Sequence, residues 1–440
     1  MTPGARIQAT IELLGQIWDG TVPPDVVADG YFRKRRYAGS GDRRAINERV
    51  YNVLRRRARL GWWVARTGLA LDPGPRSLVL ADLAIAERTA PEAIGELFSG
   101  SRHCPPRLDD VELQLVDAVY GRPLRHRDMP KPVAFEYPEW MDASFTALWG
   151  DRLETEIAAL NQPAPVDLRV NTLKTTPEQA QSSLAGAFVD AQSTPLSPLG
   201  LRIEGHPRLG GTEAFRQGLV EVQDEGSQLL ALLVGARPGM TVVDFCAGAG
   251  GKTLALAAAM ASDGKLTGRL FACDVSANRM ERMQSRIKRA GAFGIKRRTI
   301  AAVDDNWVAE NAGRADRVLV DVPCTGTGTW RRNVYDKWRF QPTDLADLQE
   351  QQRRILGNAA SLVKKGGRLV YATCSLLQEE NEQQWAWFLE NHAHFQPLSM
   401  DAVWSETVGG PPPPAGPTLR LSPAATGTDG FFCAVLERQN

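Results

Sequence analysis

The sequence predicts an α/β protein: a doubly wound, mostly parallel sheet in the carboxyl-terminal half, a small α+β module before it and an all-helical amino-terminal domain. Three observations lead there. Four short β-branched and apolar runs, Thr241–Phe245, Arg269–Asp274, Arg317–Asp321 and Arg368–Thr373, alternate with helical patterns. The first run ends in a Gly-rich turn, Cys246–Lys252, that opens an Ala/Leu-rich helix; this is the ligand-binding corner of such a sheet. Residues 1 to 138 carry apolar positions at helical spacing, as in Ile7–Trp18 and Ile46–Val64.

Composition bounds the function. With 440 residues, 43% of them apolar, the chain can bury a large core spread over two or three domains. Its six cysteines (Cys104, Cys246, Cys273, Cys324, Cys374, Cys433) show no Cys-x-x-Cys pairing and no His at ligand spacing. That is reduced usage, with neither a disulfide framework nor a zinc site. There is no charged start followed by an apolar run, and no stretch approaches the length of a membrane span. The expectation is a cytoplasmic, soluble monomer without a metal or a membrane partner. The net charge of +1 hides an uneven distribution.

In chain order, the helical domain is assigned to 1–138. Between Arg33 and Arg59 it carries eleven Lys/Arg against two Asp/Glu, interleaved with Tyr37 and Tyr51 and preceded by Tyr31 and Phe32. A charge run is usually a solvated helix face. Here the density of Arg and the aromatic neighbours favour a nucleic-acid backbone, with Arg33, Lys34, Arg35 and Arg36 as contacts. The Pro-rich stretch Pro130–Pro138 marks the boundary to a small α+β, RRM-like module at 139–228. Within it Glu139–Leu160 reads as helix and Pro165–Lys174 as a strand with an Asn-Thr turn. Gly218–Leu233 reads as a strand and a capped helix leading into a third domain, 229–440. Pro411–Pro414 is a solvated loop, and Thr418–Leu421 with Gly430–Leu436 predicts a closing hairpin at an antiparallel sheet edge.

The Gly-rich corner discriminates among ligands. A P-loop requires Gly six residues before Lys252, where the chain has Cys246; a dinucleotide fingerprint requires a third Gly where it has Thr253. Asp274 closes the next strand, where a carboxylate accepts hydrogen bonds from a ribose diol. S-adenosylmethionine, a ribose and an adenine without phosphate, fits what remains.

Two further strand ends carry thiols. Arg317–Thr329 reads R-V-L-V-D-V-P-C-T-G-T-G-T and Arg368–Ser375 reads R-L-V-Y-A-T-C-S, so Cys324 and Cys374 each follow a buried strand on the side where an open α/β sheet keeps its active site. Methyltransferases acting on exocyclic amines carry Asp or Asn with Pro-Pro-Tyr at the first of these positions. A thiol there points instead to carbon 5 of a pyrimidine, which becomes nucleophilic once a thiolate has added to carbon 6. Two thiols suit two tasks, attack and release, and these residues alone do not order them. Asp321 stands where a carboxyl group can bond the ring N3 and amine of cytosine. A lone buried Cys is usually inert, as expected for Cys273 and Cys433; the pair beside a Gly-rich corner favours catalysis. Gly326 and Gly328 predict a mobile loop over the base, and Arg331, Arg332 and Lys337 are placed to reach phosphates.

Taken together, C-A-G-A-G-G-K-T, A-C-D, D-V-P-C-T-G-T-G-T-W-R-R, Y-A-T-C-S-L-L-Q-E-E-N-E and T-D-G-F-F resemble the RsmB/Sun family of RNA cytosine-5 methyltransferases, and L-R-V-N-T-L-K and Q-D-E-G-S-Q extend the resemblance to about residue 135. The first 130 residues more faintly resemble a NusB-type RNA-binding domain. The resemblance implies a class I, Rossmann-like methyltransferase domain, with Cys374 attacking carbon 6 and Cys324 assisting release. It places Cys246, Ala247, Gly248, Ala249, Gly250, Gly251, Lys252, Asp274, Asp304 and Asp321 at the S-adenosylmethionine-contacting positions. The substrate it implies is one cytosine of small-subunit (16S) ribosomal RNA. The chain departs from the family at Gly248-Ala249, where Ala-Pro is usual and where the change makes the loop more flexible, and at Thr325, where Ser is common. The alternatives are the same chemistry on tRNA, and a non-catalytic RNA-binding assembly or antitermination factor; the intact thiols, Asp321 and Gly loop argue against the latter.

Overall fold

The computed structural model describes the chain except residues 19, 21, 23, 206, 207, 302–304, 414, 415 and 440. The chain folds as two compact units, one of Met1–Asn161 with Arg332–Phe340, the other of Gln162–Arg331 with Gln341–Asn440. The helices Asp142–Trp149 and Leu153–Leu160, which read in sequence as one run, are separated at Gly150, whose φ of +51° a β-carbon would disfavour.

The helical unit is organised by apolar stripes. Helix Pro3–Trp18 buries Ile7, Leu13, Leu14 and Ile17, and Ser40–Arg55 buries Ile46, Val50, Val53 and Leu54. Val334 and Tyr335 of the Arg332–Phe340 segment share this core. Tyr335 donates its hydroxyl hydrogen to the Trp18 carbonyl at 2.9 Å, and Trp140 donates to the Phe340 carbonyl at 3.2 Å.

The second unit contains two main sheets. In the smaller, β1 (Val166–Val170) lies between β3 (Gly200–Ile203) and β4 (Val220–Val222), antiparallel to both, with β2 (Gln192–Ser193) outside β3. The Asp224 carboxylate then caps helix Glu225–Leu233 by accepting from the Gly226 amide. The larger sheet contains β5 (Thr241–Asp244), β8 (Arg269–Asp274), β9 (Lys296–Thr299), β10 (Ala315–Asp321), β11 (Val363–Thr373), β12 (Phe395–Pro397) and β14 (Phe431–Arg438). Between β5 and β8 lies a short hairpin of β6 (Ala261–Ser262) and β7 (Lys265–Leu266). Strand order is β12-β14-β11-β10-β5-β8-β9, with β13 (Leu419–Leu421) paired to β14. The five strands β9, β8, β5, β10 and β11 are mutually parallel, and apolar clusters cover both faces. β13 and β14 pair antiparallel as expected, but β14 is not the sheet edge: β12 pairs beyond it, a three-residue strand too short to announce itself in the sequence.

Candidate active site

The order of the central strands brings three strand ends together. β5 pairs with β10 and β10 with β11, all parallel, so the Gly-rich turn, Cys324 and Cys374 emerge at the same carboxyl end of neighbouring strands. The Cys324 and Cys374 sulfurs lie 3.3 Å apart. Neither sits in packed interior; both residues are partly exposed.

At the corner, Gly248 (φ +53°) and Gly250 (φ +84°) adopt left-handed conformations. A β-carbon on Gly250 would meet Met283 at 2.5 Å, whereas one on Gly248 would enter open space. The Asp274 carboxylate accepts from the Gly248 and Ser276 amides, both at 2.8 Å, so the acid closing β8 also shapes the turn after β5. Lys252 donates to Asp321 at 2.7 Å. Burial alone would depress the Lys252 pKa, but the Asp321 carboxylate, and behind it the Cys374 sulfur, turns the net shift upward. Arg286 reaches across to donate to the Ala249 carbonyl at 2.9 Å while pairing with Glu221 of β4 at 3.0 Å.

Asp244, which the sequence reading passed over as a strand residue, is fully enclosed. One carboxyl oxygen accepts from Thr253 at 2.6 Å, and the other has no hydrogen-bond partner among the described residues. Burial, with the charges of Asp321 and Asp274, pushes its pKa up to about 7. Three carboxyl groups around one lysine make this corner acidic. That disfavours a phosphate and suits a ligand carrying positive charge, as S-adenosylmethionine does on its sulfonium and ammonium groups. Its open Gly248 turn and orphaned Asp244 oxygen fit that molecule. Burial first, then the same carboxylates, pushes the Cys246 thiol pKa well above its ordinary value and keeps it neutral. Asp304 lies outside the described residues.

Beneath the two thiols sits a polar cluster that the sequence reading also missed. The Glu380 carboxylate, wholly buried, accepts from the Thr325 amide at 2.9 Å, from the Thr325 hydroxyl and from Gln352 at 3.0 Å. Gln352 also donates to the Pro323 carbonyl at 2.9 Å. Ser375 lies 3.2 Å from the hydroxyls of both Thr325 and Thr327, so the loops bearing Cys324 and Cys374 are tied to each other and to Glu380. The only sequence signal was Q-E-E-N-E following T-C-S. The loop is not free to move as expected from Gly326 and Gly328: the Gly328 amide donates to the Cys374 carbonyl at 2.9 Å, and Gly430 packs so closely that a β-carbon on Gly328 would lie 2.1 Å from its carbonyl.

Several expected RNA contacts are corrected. Arg331 is buried, paired with Asp429 at 2.8 Å and near Asp224 at 3.8 Å, so it holds the fold instead of facing phosphates. Lys337 is buried too; it donates to the Glu136 carbonyl at 3.1 Å and to the Asn161 side chain at 2.6 Å, and burial pulls its pKa down to about 7. Arg332, in the same Arg332–Phe340 segment, is half-buried. Arg33, Lys34 and Arg36 are exposed, whereas Arg35 pairs with Glu12 at 2.9 Å and lies 3.6 Å over the Tyr31 ring. Tyr31 and Phe32 are core residues, leaving exposed Tyr37 and half-buried Tyr51 as aromatic neighbours of the basic run. Among the described residues no His/Cys/Asp/Glu cluster could hold a metal ion, and no helix is long and apolar enough to cross a membrane.

The chain is similar to known rRNA methyltransferases. A family model described as 16S rRNA methyltransferase RsmB/F matches residues 231–437, and one for the ferredoxin-like domain of RsmF/B-like methyltransferases matches 137–209. Ribosomal RNA small subunit methyltransferase B of Sodalis glossinidius is 35% identical over 69% of this chain and 66% of its own length. The protein of the same name from Erwinia tasmaniensis is 28% identical over 91% of this chain and 92% of its own. The crystal structure of a methyltransferase homolog protein from Pyrococcus horikoshii superposes with a TM-score of 0.60 at 27% identity, covering 70% of this chain and 97% of that one. With a probable ribosomal RNA small subunit methyltransferase B of Synechocystis 33% identical over 69% of this chain and 67% of its own length, and both family models matched in one chain, the protein belongs to the RsmB/F family of 16S rRNA methyltransferases.

Proposed function

We propose that the protein methylates carbon 5 of a cytosine in small-subunit ribosomal RNA, with S-adenosylmethionine as donor and a transient Cys374–carbon 6 adduct. The observation that carries this reading is the 3.3 Å separation of two thiols at adjacent strand ends beside the Gly-rich corner. When bound, S-adenosylmethionine supplies an electrophilic methyl group.

The residues divide the remaining work. The contact with Cys374 first, then burial and more weakly the Glu380 carboxylate, push the Cys324 pKa well above its ordinary value. The two sulfurs share one close contact in which either can be the donor. The resemblance to the RsmB/Sun family, in which the Cys of the T-C-S motif attacks, is what assigns Cys374 as the thiolate that bonds to carbon 6. Attack moves the electrons of the ring's 5,6 double bond onto carbon 5, which takes the methyl group. Cys324, once its own proton has passed to water, takes the carbon 5 proton; the electron pair of that C–H bond restores the double bond and the Cys374 thiolate is expelled. In this reading Asp321, held by Lys252, accepts from the cytosine amine, and from N3 when that nitrogen carries a proton. Arg33, Lys34 and Arg36 supply backbone contacts on the helical unit.

Single variants separate the roles. Cys374→Ala abolishes methylation and forms no adduct, whereas Cys324→Ala accumulates protein covalently attached to RNA, seen as a shifted band on a denaturing gel. A shifted band from Cys374→Ala instead would reverse the assignment, and its absence from both variants would refute the adduct.

A further inference from the structure

The densest basic stretch of the methyltransferase unit lies outside the residues assigned above. From Ala277 to Thr299 the chain has eight Lys/Arg and one Asp/Glu. They occupy two neighbouring elements, helix Ala277–Ala290 and the edge strand β9, all four residues of which are exposed. Three have structural tasks: Arg286 and Arg289 pair with Glu221, and Arg297 donates to the Met280 carbonyl. Arg279, Arg282 and Arg298 are exposed, and among the described residues their guanidinium groups make no hydrogen bond or ion pair.

These three share one end of the sheet. Arg298 pairs in register with Cys273, one residue before Asp274, so it stands at the carboxyl end of β9, level with the Gly-rich corner. Helix Ala277–Ala290 begins just after that end, capped by Ser276, which places Arg279 and Arg282 in its first two turns. Helix positions 279, 282 and 286 fall on one side, and Arg286 touches the Gly-rich loop at Ala249. Lys288, by contrast, sits in the last turn, at the opposite end. Three interstrand steps separate β9 from β10, about 14 Å at ~4.8 Å each. A nucleic-acid strand covers that in roughly four nucleotides at ~3.4 Å rise.

We propose that Arg279, Arg282 and Arg298 form a phosphate-binding rim that grips RNA flanking the target nucleotide. The inference rests on the rRNA methyltransferase reading above and adds a second contact surface, on the catalytic unit itself. Arginine forks suit phosphate oxygens, and three of them with no acidic partner among the described residues leave a positive field that an anionic chain neutralises. Cations on an edge strand also prevent pairing with another copy, which would account for β9 but not for Arg279 and Arg282 on the helix.

The test is filter binding of unmodified 16S rRNA transcribed in vitro. It compares wild type, an Arg279→Gln/Arg282→Gln/Arg298→Gln triple variant, and a charge-matched control with Lys265, Lys288 and Lys296 changed to Gln. The rim variant is expected to bind ~10-fold or more weakly with a log–log salt slope shallower by about two to three, and the control to change by less than ~3-fold. Melting temperature and S-adenosylmethionine affinity should stay at wild-type values in both. Equal losses in rim and control variants, or wild-type affinity and slope in the rim variant, would overturn the rim. So would self-association of the rim variant with RNA affinity kept, which assigns the cations to edge protection. A wild-type protein that did not bind RNA would instead remove the rRNA reading on which the rim rests.

Discussion

Asp244 is the residue at which folding and ligand binding oppose each other. Its neutral form is favoured in the free protein because it is buried and has Asp321 and Asp274 as neighbours. Its folded pKa of about 7 exceeds the ordinary 3.8, so the folded state holds the proton more tightly than the unfolded chain does. The associated stability is fully present below the unfolded value and is lost as pH rises from about 4 through about 7. A cationic ligand reverses the preference by favouring the carboxylate. S-adenosylmethionine affinity should therefore climb with pH up to about 7 and then level off. Binding near pH 6 should release a proton, detectable by calorimetry in buffers of different ionisation enthalpy. Asp244→Asn should flatten this profile and weaken binding above neutrality by roughly 10-fold, about 1.4 kcal/mol. An unchanged profile would show that the ligand does not sense this carboxyl group.

At the scale of elements, the Gly-rich loop depends on a helix and a sheet that are remote in sequence. Two left-handed glycines bracket Ala249, and its carbonyl is held by Arg286, itself fixed by Glu221 of β4. Arg286→Met is expected to weaken S-adenosylmethionine binding by roughly 5-fold, about 1 kcal/mol for one charge-assisted hydrogen bond. Melting should barely change, because Arg289 still partners Glu221. Arg286→Lys should recover part of the affinity; isothermal titration of both variants decides it. The parallel core strands were readable from sequence, since buried strands are apolar runs and β8 appears with the expected bounds Arg269–Asp274. β9 was not readable, because Lys-Arg-Arg-Thr at an exposed edge carries no apolar signal. The thiol pair was readable because each Cys follows a strand, whereas Glu380, Gln352 and Asp244 act through long-range contacts that spacing does not encode. Arg331 and Lys337 misled for the converse reason: a basic residue in a loop looks the same in sequence whether it faces solvent or a buried carboxylate or carbonyl.

For the whole molecule, the division into units does not follow the order of the chain. Residues Arg332–Phe340 belong to the helical unit, yet they are covalently continuous on both sides with the catalytic unit, eight residues beyond Cys324 at the near end. Within the helical unit Val334 is wholly buried, Tyr335 bonds to Trp18, and Lys337 is enclosed with Glu136 and Asn161. A chain beginning at residue 162 would keep this segment and lose all of those partners. Burying a side chain of the Val class contributes about 1.5–3 kcal/mol, and an enclosed ammonium has no hydrogen-bond substitute except water, so the segment would be driven out of its present conformation. The helical unit is thus expected to be required for a stable catalytic unit, unlike a simple appended RNA-binding domain. The 162–440 chain should melt at a lower temperature than the corresponding transition of the full chain and expose apolar surface to a dye such as ANS. Replacing 332–340 by a Gly/Ser linker in that truncated chain should remove the dye binding and restore part of the lost stability. A truncated chain with unaltered melting and no dye binding would show that the segment's place in the helical unit contributes nothing to the catalytic one.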